Sequence, residues 1–287
     1  MLVIGGKRDK IVGQEACKEI AEKLGCEIYL YDELGHAAYE EAKDFNQKVY
    51  EFLQSYCAKE ADGMQAKKYV MISVLFSTLL MCFVDGVIVP PYLYKSLIKI
   101  VLFLIVPMIY FVLYKDKSDY LKKLFVPKKK DFLLALLLGL GVFAVILAAY
   151  FVLGSYIDLS VIKDSLTSGI GVNAGNFVYV AIYISLCNSL LEEFFFRGFA
   201  FLILKQEMNR KFAYIFSSAM FALYHVGMTS GWFNVLIYIL AMFGLFVGGC
   251  IFDFLNEKCE NIYPSWLVHM FANFAINTIG FILFGII

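Results

Sequence analysis

The chain has 287 residues, 61% of them hydrophobic and only 17% charged, with a net charge of zero. Soluble domains carry about 25% charged residues, so an ordinary cytosolic globule is excluded, and the lack of a basic surplus argues against nucleic acid as a partner. The average hides a division, because residues 1–68 hold 23 charged residues and residues 69–287 hold only 27.

In chain order, residues 2–6 (Leu-Val-Ile-Gly-Gly) predict a buried strand, 13–25 a helix ending at Gly25, 26–31 a second strand and 37–59 a longer helix. This is a βαβα pattern of a parallel sheet. Two strands are too few for such a sheet, which needs neighbours and cover on both faces, so the strands are expected to lack partners within the chain.

Apolar runs of membrane-spanning length follow near 69–89, 97–114, 132–154, 177–204, 212–226, 232–252 and 262–287. The fold class expected is therefore an all-α polytopic membrane protein of about seven transmembrane helices, with a small α/β segment at its N-terminus. The start of the chain lacks a signal-peptide pattern, so the first apolar run acts as its own insertion signal. Loop 115–131 carries seven lysines (115, 117, 122, 123, 128, 129 and 130), and loops 205–211 and 253–261 are also basic. The alternate connections hold Lys95, Lys163 and, in 227–231, no cation. Strict alternation places the N-terminus in the cytoplasm of a multi-pass cell-membrane protein. The seven cysteines have no CxxC spacing, which argues against disulfides or a cysteine zinc site.

Most spans are free of ionisable groups. Asp85 and Lys99 lie near span ends, and both are expected to reach the solvated interface. The fourth span differs, reading Ser189-Leu-Leu-Glu192-Glu193-Phe-Phe-Phe-Arg197-Gly198. Each charge at bilayer depth costs on the order of 3 kcal/mol, so three together require a polar interior. Glu193 and Arg197, four apart on a helix, share a face and can pair. Glu192 points elsewhere and shares its face with Asn188. His225 closes the run Phe221–His225 in the fifth span, and His269 and Asn273 share a face of the seventh. At 1.5 Å per residue, Glu192, His225 and Asn273 lie roughly 17 to 20 Å from the cytoplasmic ends and His269 roughly 10 Å, so one polar layer can collect them. A carboxylate with an imidazole can deprotonate water, and a second imidazole with an amide can hold an oxyanion. HExxH and GxSxG motifs are absent. Gly244, Gly248 and Gly249 in the sixth span are expected to allow close helix packing.

In order and placement, Glu192-Glu193-x-x-x-Arg197-Gly198, Phe221-x-x-x-His225 and His269-x-x-x-Asn273 resemble the three motifs of the CPBP family. These are intramembrane proteases related to CAAX-prenyl endopeptidases and to bacteriocin-processing or immunity proteins, also labelled Abi. The resemblance covers about residues 177–280. It implies a hydrolase in which Glu192 and His225 activate water, Glu193 pairs with Arg197, and His269 with Asn273 holds the oxyanion. The substrate implied is a membrane-embedded or lipidated peptide, such as a prenylated or leader peptide, met in the lipid bilayer. No cofactor is needed in that scheme. An alternative makes Glu192, His225 and His269 ligands of a divalent metal such as zinc. A non-catalytic scaffold or immunity protein on the same fold is a second reading, and a transporter or proton relay a third.

Residues 2–57 resemble a different family, the C-terminal end of an α/β-hydrolase. Val3-Ile-Gly-Gly-Lys-Arg-Asp9 looks like the strand and loop bearing the triad acid, and Glu33-Leu-Gly-His36 like the histidine loop. No nucleophile elbow precedes them, so Asp9 and His36 have no serine to activate. The expected division is thus 1–68, a cytoplasmic hydrolase-like remnant or the tail of a longer fusion, and 69–287, the transmembrane protease domain.

Overall fold

The computed structural model describes the backbone of residues 1–287 and the side chains of all but Lys59, Asp116, Lys129, Lys130 and Asp131. Lys129 and Lys130 of the basic loop therefore lie outside the described side chains. Two compact units are present, Met1–Gln65 and Ala66–Ile287.

In the first unit β1 (Leu2–Gly6) and β2 (Glu27–Tyr31) flank helix α1 (Gly13–Leu24). The strands pair with each other in parallel, in register from Leu2 opposite Glu27 to Gly6 opposite Tyr31. This corrects the expectation that they lack partners: a helical crossover brings parallel neighbours together even when only two strands are available. Cys17 and Ala21 of α1 are buried, and α1 stops at Gly25, which takes φ 59° and donates its N–H back to the last turn. A single turn, Ala38–Glu41, precedes the next helix and ends where Ala42 turns extended.

The expected helix at 37–59 and the first apolar run merge into one helix, Phe45–Phe83, extended by a π-helical turn to Ile88. The reason is local. Between 45 and 83 there is no proline, and Gly63 is the one glycine, so nothing terminates the helix.

Among the described residues, seven helices are long and apolar enough to cross a membrane: Phe45–Ile88, Tyr92–Leu113, Phe132–Tyr156, Phe177–Glu207, Arg210–Thr229, Val235–Cys259 and Tyr263–Leu283. They are numbered spans 1 to 7. Large apolar side chains such as Phe151 and Leu236 are more than three-quarters exposed, as lipid-facing residues are when no bilayer surrounds them. Span 7 packs along span 3, span 5 along span 6, and the centre of span 4 against span 5. Span 5 crosses span 1 so closely at Gly227 that a Cβ there would lie 2.2 Å from the carbonyl oxygen of Cys82. In span 6 a Cβ on Gly249 would meet Ser218 at 3.0 Å, whereas Gly244 and Gly248 face open space. Close packing is therefore the role of one of the three glycines.

Span 4 is not a regular α-helix. It widens into π-helical stretches at Ile184–Asn188 and Glu193–Phe201. Wide turns leave backbone carbonyls in need of donors, which lipid cannot supply. Span 7 provides them: Asn273 Nδ2 donates to the Ile184 carbonyl at 3.2 Å, Trp266 Nε1 to Leu186 at 3.1 Å and Asn277 Nδ2 to Ala181 at 3.2 Å. The irregular backbone is tied to the neighbouring span by side-chain amides and an indole.

Candidate active site

The second π-helical stretch begins at Glu193, so both carboxylates lie at the junction where the helix widens. Such irregularities occur often at functional sites. Glu192, Glu193 and Arg197 are at most 2% exposed, while His269 and Asn273 are buried and His225 is half-buried.

His269 joins the two glutamates. Its Nδ1–H donates to Glu193 Oε1 at 2.8 Å, and its Nε2 lies 3.7 Å from Glu192 Oε2. Because a carboxylate only accepts, the hydrogen bond assigns the proton to Nδ1 and leaves Nε2 facing Glu192. His225 is set the same way: its Nδ1–H donates to the Phe221 carbonyl at 2.8 Å, freeing Nε2. The Phe221 ring separates the two imidazoles, with centroids 4.8 Å from His225 and 5.9 Å from His269. His269 also stacks on Phe252 at 5.5 Å.

Glu193 and Arg197 do share a face, at 3.5 Å from Nε to Oε2, but the shorter contact of Glu193 is with His269. Arg197 lies almost as close to a partner outside the motifs, Asp253, at 3.7 Å. Asp253, expected in a loop, is instead fully buried inside span 6. The helix continues through the polar residues to Cys259, as nothing before Glu260 interrupts it. The hydroxyls of Ser217 and Ser218 lie 3.1 Å from the two Asp253 oxygens. The guanidinium is boxed by aromatic rings, 4.0 Å from the Phe221 centroid and 4.9 Å from that of Phe252. Face-on rings stabilise a desolvated cation.

The solvated-interface expectation for Lys99 and Asp85 is overturned. Lys99 is 2% exposed, and its ammonium donates to Glu192 Oε1 at 2.5 Å, Asn188 Oδ1 at 2.6 Å and Tyr224 Oη at 2.5 Å. Asp85 is buried beside Lys95 at 3.0 Å. The reason is packing: span 2 presents Lys95 and Lys99, one turn apart, to the bundle interior, where carboxylates offset the cost of burial. Asn188 Nδ2 donates to the same Glu192 oxygen at 2.8 Å, as the shared helix face implied. Sequence reasoning missed Lys99, Tyr224 and Asp253 as site residues. The signal available for Lys99 was its i,i+4 spacing from Lys95 in an otherwise apolar helix.

A metal held here would take Glu192, His225 and His269 as its ligands. Glu192 Oε1 is taken by Lys99 and Asn188, and among the described residues no group of three or more His, Cys, Asp or Glu side chains is placed to hold a metal ion. These side chains, as arranged, do not fit a metal.

In the first unit Asp9 and His36 meet, as the hydrolase resemblance implied, with His36 Nδ1 3.0 Å from Asp9 Oδ2. Asp9 Oδ1 accepts the N–H groups of Ile11 and Val12. The Val12 N–H, more than any other group, holds this carboxyl below its ordinary value, against the opposing effect of desolvation.

Neither the curated proteins nor the solved structures compared with the chain gave a match. One family model does match: type II CAAX prenyl endopeptidase Rce1-like, over residues 174–275. That segment holds Glu192, Glu193, Arg197, His225, His269 and Asn273 together. Residues 174–275 thus match an Rce1-like type II CAAX prenyl endopeptidase domain, a match consistent with a CPBP-family intramembrane protease.

Proposed function

We propose that the protein is an intramembrane endopeptidase that hydrolyses a peptide bond of a prenylated, leader-peptide or other membrane-associated substrate with a water activated by Glu192 and His225. The observation that carries this reading is the buried Glu192 Oε2, which has no hydrogen-bond partner among the described residues and faces His269 Nε2 at 3.7 Å. A buried carboxylate oxygen with an open acceptor position is where a water proton goes.

In this mechanism Glu192 Oε2 accepts a proton from water as its oxygen attacks the scissile carbonyl carbon, with His225 Nε2 accepting a hydrogen bond from the same water. The proton that Glu192 takes from water is shared with the facing His269 Nε2, 3.7 Å from Glu192 Oε2, and this N–H with the second N–H of Asn273 donates to the tetrahedral oxyanion. Glu193, bonded to Nδ1, balances the imidazolium charge. The proton taken from water then passes to the leaving amine as the C–N bond breaks. Electrostatic donors of this kind act strongly in a dry bundle. No metal takes part in these steps.

The residues outside the matched segment belong to the proposal as well: 69–287 forms the protease domain in the cell membrane, 1–68 is a cytoplasmic hydrolase-like remnant, and the N-terminus is cytoplasmic. A second reading, a non-catalytic scaffold or immunity protein, draws on one observation. The Lys99 ammonium neutralises the very carboxylate the chemistry needs. The deciding experiment is cleavage of a farnesylated CAAX peptide by detergent-purified protein, with and without chelator. Chelator-insensitive turnover that Glu192→Gln abolishes supports the proposal. Normal biological output from Glu192→Gln, His225→Ala and Asn273→Ala at normal abundance overturns it in favour of the scaffold.

A further inference from the structure

We infer that Lys99 is a positioning residue for Glu192, recruited to the site from span 2, outside residues 174–275 and outside the three motifs. The inference rests on the hydrolase reading of the site. An ammonium has three N–H donors, and all three are committed, to Glu192, Asn188 and Tyr224. None remains for a substrate, so Lys99 acts through Glu192. Asn188 closes the triangle, accepting from Lys99 with Oδ1 and donating to Glu192 with Nδ2. Both donors fall on the same oxygen, Oε1. The other oxygen, Oε2, is thereby left open and aimed at the His269 side. Lys99 thus decides which carboxylate oxygen meets water. The clamp is also coupled to the fifth span, since Tyr224 precedes His225 in the chain and its ring lies 4.5 Å from the ammonium.

The test is steady-state cleavage of a farnesylated CAAX peptide by full-length Lys99→Met, Tyr224→Phe, Glu192→Gln and Lys99→Met/Glu192→Gln proteins, each with a melting temperature. Methionine keeps the length of the lysine stem and removes the donors. Loss of an outer partner of this kind lowers turnover by about 10- to 100-fold. The expected result is that fall in kcat for Lys99→Met with KM within about threefold of wild type. The double variant should be no slower than Glu192→Gln, because both changes act through one group. A Lys99→Met protein that folds and keeps wild-type kcat overturns the inference, as does a double variant slower than Glu192→Gln by the full Lys99→Met factor. If Lys99→Met fails to fold, Tyr224→Phe decides: it removes one anchor of the ammonium but keeps the ion pair, and an unchanged kcat overturns the inference. Glu192→Gln turnover equal to wild type is the separate outcome that defeats the hydrolase reading itself, and the inference with it.

Discussion

His269 and Glu193 are joined by a buried 2.8 Å hydrogen bond from Nδ1 to Oε1, across 76 residues of chain. The bond fixes the imidazole so that its other nitrogen faces Glu192, the neighbour of its own partner. Two adjacent glutamates that a helix splays apart are thus read by one ring. In the proposed mechanism the first serves chemistry, and the second orients and balances the ring that serves it.

Glu193→Ala should therefore reduce turnover by at least about 100-fold, by freeing His269 rather than by removing a base. The distinguishing measurement is the histidine NMR signature. Labelled His269 should change its tautomer or ring mobility in Glu193→Ala and keep both in Glu192→Gln. An unchanged His269 signal in Glu193→Ala would remove the orienting role.

Glu192→Gln should abolish turnover by a factor of about 100 or more and also lower the melting temperature, because it strips the Lys99 ammonium of its counter-charge. Breaking one side of a buried pair costs roughly 3–5 kcal/mol. Adding Lys99→Met should restore part of the lost stability while leaving the protein inactive. A double variant less stable than either single variant would contradict the pairing.

Arg197→Ala should lower abundance and melting temperature as well as activity, since it leaves Glu193 and Asp253 uncompensated in a dry interior at a cost of roughly 3–5 kcal/mol. Arg197→Lys should not restore stability. A lysine cannot lay a flat cation over the Phe221 ring as the guanidinium does. Thermal denaturation of the three proteins in one detergent checks this.

Asn273→Ala should cost on the order of 100-fold in kcat with a smaller effect on KM. It should also loosen span 4, because Asn273 holds the Ile184 carbonyl. Hydrogen exchange in 184–188 reads the second effect independently of activity.

In the first unit, Asp9→Asn should accelerate exchange of the Ile11 and Val12 amides at neutral pH. The native Asp9 carboxyl titrates below its ordinary 3.8, so its stabilising effect is complete above that value and is lost as pH falls through the lower, native one. The difference between Asp9→Asn and wild type should therefore persist at pH 5 and shrink under stronger acid. A difference that instead grows as acid is added would reverse the assignment. On the membrane side, reporters fused in 118–126 and in 158–164 should report opposite faces. Finding both on one face would remove the alternation of loops.

Composition and periodicity by themselves determined the seven spans, because a bilayer demands about twenty apolar residues per crossing and tolerates no ambiguity in that pattern. They also determined the motif residues of spans 4, 5 and 7, because ionisable groups are conspicuous where desolvation is expensive. The one-turn spacing of Glu193 and Arg197 was legible for the same reason. The sequence did not disclose the partners of those groups. Lys99 lies 93 residues from Glu192, and Asp253 lies 56 residues beyond Arg197 in a stretch polar enough to read as a loop. Each was placed by its distance from a span end, which says how far a side chain is from water along its own helix and nothing about what a neighbouring helix offers. Only tertiary packing turned span 2 so that its lysine met a carboxylate, and only the packing of span 7 against span 4 brought His269 to Glu193. Local rules bound what one helix can do; which buried charges offset one another is decided where several helices meet, and that information is not periodic in any of them.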